Sequence, residues 1–174
     1  MGRQTVRWIV VLGWLGALGA LTTIRCAVWQ TDAALWADAL ITSPEKPRVV
    51  MNDARTHELA GDVAYADRAY REVIYLSFDP RRSKYVRTFS MAAAETNLAH
   101  LAMKEGRMAS AMRLLEATLS YWPEFPYAHY NKGSILWVYG ACEAAWDEIR
   151  YAQSIDPMLP NPKGECHDHP HATP

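Results

Sequence analysis

The chain has 174 residues, half of them apolar, which is enough for one modest domain with a real core plus an appendage and excludes disorder throughout. Lysine plus arginine (18) nearly balances aspartate plus glutamate (19), so no overall charge draws the chain to nucleic acid or to an acidic surface, and partner choice rests on local patches. Cys26, Cys142 and Cys166 are too few for a disulfide scaffold and form no CxxC or CxxCH spacing, which argues against dithiol redox chemistry and covalent haem.

Residues 1–30 are predicted to be a transmembrane anchor. The stretch WIVVLGWLGALGALTTI, 8–24, carries no charge and makes about 25 Å of helix against a hydrocarbon core about 30 Å thick. Val6 and Ala27 to Trp29 extend it if Arg25 snorkels, and Trp8 and Trp29 then sit where interfacial aromatics are favoured. Arg3 and Arg7 precede the span and only Arg25 closely follows it, so the N-terminus is expected to be cytoplasmic and the remainder exported, most simply across a bacterial inner membrane into the periplasm. A signal peptide cleaved near Ala17-Leu18-Gly19 is the alternative, which the flanking tryptophans disfavour. Arginine before Cys26 argues against a lipoprotein, and Val6 stands where myristoylation needs Ser or Thr. Gly13, Gly16, Ala17, Gly19 and Ala20 offer a small-residue face to another membrane helix.

Beyond the anchor the chain repeats itself. LWADALITSP, within a predicted capping helix at 31–46, reads as the tail of a helix closed by Pro44. A first unit at 47–80 carries Asn52, Ala54 and Gly61, with two extra residues before Asp79-Pro80. A second, at 92–125, carries Asn97-Leu98-Ala99, Gly106, Ala111, Leu115, Leu119 and Pro123. A third, at 126–159, carries Tyr130-Asn131, Gly133, Gly140, Ala145, Ala152 and Pro157, and Gly106 to Gly140 and Pro123 to Pro157 are both 34 residues. Ala54, Ala99, Gly133, Ala111 and Ala145 let helix backbones approach, while Leu98, Leu115, Leu136 and Ile149 fill the seam. Gly61, Gly106 and Gly140 end first helices, and Pro80, Pro123 and Pro157 stop second helices. Trp36 and Trp146 are placed in helix seams and Trp122 in the turn before Pro123.

Over roughly residues 33–158 this pattern resembles the tetratricopeptide repeat family. The resemblance implies an all-α fold, in which the membrane helix is followed by a right-handed superhelical stack of about three helix pairs and an extended tail. It also implies a concave groove lined by first helices, where an asparagine holds the backbone of a partner segment. Asn52, Asn97 and Asn131 occupy that position in the three units. The neighbouring groove positions carry Arg55, Glu58, Thr96, His100, Met103 and Lys104, then Tyr127, Tyr130, Ser134 and Trp137. Family members that clamp a terminal carboxylate use cations where this chain has Met51, Tyr127 and Asn131, so that activity is not implied.

Two segments depart from the pattern. A basic insertion at 81–91 holds Arg81, Arg82, Lys84 and Arg87 among Tyr85 and Phe89; it suits an acidic partner or anionic headgroups, or is simply a charged helix extension. The Pro- and His-rich tail, 160–174, is expected to run as an extended strap without a closing helix. Cys166, His167, His169 and His171 there could take copper or zinc, the one cofactor considered, and in an oxidising compartment Cys142 and Cys166 could instead pair. No phosphate loop, HExxH or GxSxG occurs, and Glu95, Glu105, Glu116 and Glu143 read as surface residues. The expectation is a membrane-anchored scaffold or accessory subunit that holds other proteins of a membrane complex and has no enzymatic activity, nucleic acid or small-molecule substrate. A metal-delivery or maturation factor using the tail is the alternative.

Overall fold

A computed structural model describes residues 2–162 and 164–167. Among them there are eight α-helices and no strand: α1 Arg3–Ala27, α2 Asp32–Thr42, α3 Pro47–Leu59, α4 Val63–Ser77, α5 Lys84–Lys104, α6 Met108–Tyr121, α7 Pro126–Val138 and α8 Cys142–Ile155. α1 is long and apolar enough to cross a membrane, is exposed along its length and packs against no other helix. Among the described residues its one side-chain tie to the rest of the chain is Arg25, whose guanidinium lies 2.8 Å from Asp38 on α2.

The helix boundaries follow from local chemistry. Thr31, Asp62 and Ser83 cap α2, α4 and α5 by accepting from Ala34, Tyr65 and Val86 amides. Pro47 and Pro126 open α3 and α7, where a missing amide hydrogen costs nothing. Three turns are built alike. Gly61, Gly106 and Gly140 have φ of 87°, 76° and 75°, and in each the following amide returns to a carbonyl five residues back: Asp62 to His57, Arg107 to Ala102, Ala141 to Leu136. Only glycine enters that left-handed region without cost, so the expected ends of α3, α5 and α7 are borne out.

Short turns make successive helices pack against each other from α2 to α8, and α5 additionally meets α3 and α7. The core therefore runs along the array as neighbouring layers. One centres on Ala54, Ala66, Tyr70, Val73, Leu98 and Leu101; the next on Ala99, Ala102, Ala111, Leu115, Phe125 and Ile135. Small residues set the spacing. A Cβ on Gly133 would stand 2.7 Å from Ile149 Cγ1 and 2.9 Å from the Ala145 carbonyl, so glycine is what lets α7 and α8 close. Leu136, expected in the seam, is half-buried, and its neighbour Ile135 holds the buried position.

The two segments that depart from the repeat take definite forms. Of the two readings of residues 81–91, the helix extension is the one found: from Lys84 onward they are the first turns of α5, which runs 21 residues. After α8, Gln153 donates to the Leu159 carbonyl at 3.1 Å and to Asn161 Oδ1 at 3.0 Å, and Cys166 forms a disulfide with Cys142 at the opposite end of α8. The described part of the tail is thus the expected strap, along the final helix pair.

Candidate functional site

The first helices α3, α5 and α7 lie side by side, and most of the polar residues singled out from the sequence project from them. The structure joins the first two of these helices through one carboxylate. Glu58, only 8% exposed, accepts the Tyr70 hydroxyl at 2.8 Å and has His100 Nδ1 at 3.0 Å and Lys104 Nζ at 3.2 Å. Burial alone would push its carboxyl up, but the hydrogen bonds from His100, Tyr70 and Lys104 outweigh it and hold the group at about 2. Burial first, and then its bond to Glu58, push the Tyr70 phenol well above its ordinary range. His100 and Lys104 remain about half exposed, so each has one side on Glu58 and the other toward solvent.

The asparagines differ in their surroundings. Asn97 donates its amide to Met51 Sδ at 3.2 Å, bridging α5 to α3 through a weak acceptor. Asn52 and Asn131 are half-buried on α3 and α7. Arg55 is exposed on α3, close enough that its charge acts on the hydroxyls of both Tyr70 and Tyr127. Tyr127 donates to Asp156 Oδ2 at 3.1 Å, and Tyr130 is half-buried one turn further on. Trp137 is not an open groove residue: its ring packs edge-on against Trp146 at 5.3 Å and its carbonyl lies 3.7 Å from Cys166 Sγ, beneath the strap. Thr96 is buried with its hydroxyl unpartnered, so it faces inward.

Carboxylates of the first helices recur as acceptors for second-helix side chains, a pattern that spacing alone did not reveal. Asp53 accepts from Tyr65 at 2.6 Å, and burial followed by this bond raises that phenol to about 12. Glu95, expected at the surface, accepts from Thr118 at 2.9 Å and Tyr121 at 2.7 Å. In the last pair the roles invert, and Glu148 of α8 faces His129 at 2.5 Å and Lys132 at 2.6 Å on α7. Burial opposes its ionisation, yet His129 and Lys132 hold it below the usual carboxylate range.

The basic residues at the start of α5 divide. Arg81 and Lys84 point outward, Arg81 forked onto Asp79. Arg82 turns inward to the Glu45 carbonyl, and Arg87 is half-buried with its Nε unpartnered. Between them Tyr85 and Phe89 meet Trp122 edge-on at 5.9 and 6.0 Å, beside a cleft of about 440 Å³ lined by Lys84, Tyr121 and Glu124. In the tail, Cys166 is committed to its disulfide and offers no thiolate to a metal, His167 is exposed, and His169 and His171 lie outside the described residues. No group of three metal-ligating side chains forms among the described residues. No protein-family model and no curated protein matches the chain.

Proposed function

We propose that the chain is a membrane-anchored tetratricopeptide-type scaffold, an accessory subunit that holds other proteins of a multi-subunit membrane complex rather than catalysing a reaction. The observation that carries this reading is the shared face of α3, α5 and α7, on which Asn52, Asn97 and Asn131 recur and where His100 and Lys104 both contact Glu58 while about half of each side chain stays open to solvent. Such a face suits an extended partner segment. Asn97 exchanges its poor sulfur acceptor for a backbone carbonyl, while Arg55, Tyr127 and Tyr130 supply a cation and polar-tipped aromatics. Small residues on α1, from Gly13 to Ala20, give a second contact surface for a membrane helix.

Two independent features support an exported domain. Arg3 and Arg7 favour a cytoplasmic N-terminus. The disulfide between Cys142 and Cys166 is a bond that persists in oxidising compartments, which favours an exported domain, most simply periplasmic.

Purification of the native membrane complex in mild detergent tests the reading. The chain is expected to migrate with partner proteins, and Asn97→Ala combined with Asn131→Ala is expected to weaken that association at least tenfold, about 1.4 kcal/mol, without changing the helical content. Migration as a bare monomer from native membranes would overturn it.

A further inference from the structure

The turns of the domain fall at two ends. One end collects the glycine turns after α3, α5 and α7; the other collects the turns α2–α3, α4–α5 and α6–α7 and the exit from α8. Contacts stitch this second end into one surface. Arg82 reaches the Glu45 carbonyl, Phe89 meets both Trp122 and Phe125, and Tyr127 reaches Asp156. The two ends differ in chemistry. Residues 41–48, 75–87, 122–127 and 155–158 hold six cations, four carboxylates and six aromatic rings, whereas the glycine turns at 57–63, 104–108 and 138–143 hold two cations, four carboxylates and one such ring. Much of the apolar surface at the aromatic end is uncovered: Ile41 is 83% exposed, Tyr75 73%, Phe78 67% and Met158 89%.

Polar-tipped aromatics beside lysine and arginine make up the composition that partitions into the headgroup layer of a bilayer. The tether keeps the domain close to the end of α1. Only residues 28–31 separate α1 from α2, a reach of at most about 18 Å even when extended. The link enters α2 at the glycine-turn end, but Arg25 pairs with Asp38, past the midpoint of α2, so the last turn of α1 lies back along α2 toward the aromatic end. We propose that this end of the domain rests on the anionic headgroups of the membrane that α1 enters, with Lys84, Arg81 and Lys46 on the lipid phosphates and the rings of Phe78, Tyr85 and Trp122 in the interfacial layer. The inference rests on α1 spanning a membrane, and it adds that the domain lies on its bilayer with a fixed end down.

The full chain, reconstituted into vesicles of phosphatidylcholine alone and of phosphatidylcholine mixed with phosphatidylglycerol, tests both statements. Carbonate extraction reads the anchor, and amide hydrogen exchange reads the domain. Exchange at 75–89 and 122–127 is expected to slow in the anionic vesicles while the glycine turns at 57–63 and 104–108 stay unchanged. Lys84→Gln, at an exposed side chain, is expected to lower this anionic preference about fivefold. Phe78→Ser is expected to reduce the protection in the same vesicles. A carbonate-resistant chain whose aromatic end exchanges alike in both vesicle types overturns the headgroup contact, leaves the anchor standing and points to a protein cover instead. A chain stripped by carbonate removes the anchor and the proposal with it.

Discussion

Glu58 concentrates the residue-scale chemistry of the shared helix face, because one nearly buried carboxylate satisfies Tyr70 within its own helix pair and His100 and Lys104 from the next. Its carboxyl is held at about 2 against an ordinary 4.5. A lowered carboxyl contributes stability that is complete above its unfolded pKa and lost as pH falls through the folded one, so this contribution is present above about pH 4.5 and disappears between there and about pH 2. Glu58→Gln is expected to cost about 2 kcal/mol at neutral pH and to flatten the acid limb, read by chemical denaturation between pH 2 and 6. The repeat places Glu58 among the groove positions but says nothing of what it binds. Its partners stand 42 and 46 residues away, and no local pattern records which donors a fold will bring to an acceptor.

At the scale of elements, most of the architecture was legible. Gly61, Gly106 and Gly140, with their positive φ, and the small residues at helix crossings sit on the repeat, so the ends of α3, α5 and α7 and the close contact at Gly133 follow from spacing. What spacing left open is the start of α5. The residues before Ala92 lie outside the period and look like an insertion, yet Ser83 caps them and the rings of Tyr85 and Phe89 find Trp122 across the α6–α7 turn. Helical continuation thus satisfies the backbone and buries ring edges at once, and a one-dimensional period carries no sign of that second gain. Ser83→Ala is expected to cost about 1 kcal/mol and to raise hydrogen exchange over residues 84–88 while leaving 92–104 protected. The carboxylate–tyrosine pairs escaped the sequence for the same reason, since Asp53 with Tyr65 and Glu58 with Tyr70 repeat at twelve residues only because α3 and α4 close against each other.

For the molecule as a whole, neighbouring helices carry the packing, so a lesion at one end is felt locally first. The strap closed by the Cys142–Cys166 disulfide belongs to the last pair. Cys142→Ser is expected to lower stability by about 3 kcal/mol, the loop-entropy value for a bridge across 24 residues. Loosening should show first in α7 and α8, by exchange or by the near-ultraviolet signal of Trp137 and Trp146. The strap also bears on what copies of this chain do to one another. A linear stack of helix pairs ends in surfaces that a second copy can extend, and head-to-tail contact of that kind builds filaments because it never closes. Residues 158–162 and 164–167 are tied to the chain's own final helix at Gln153 and Cys142, so a second copy approaching that helix meets a covalently fastened strap rather than a bare helix surface.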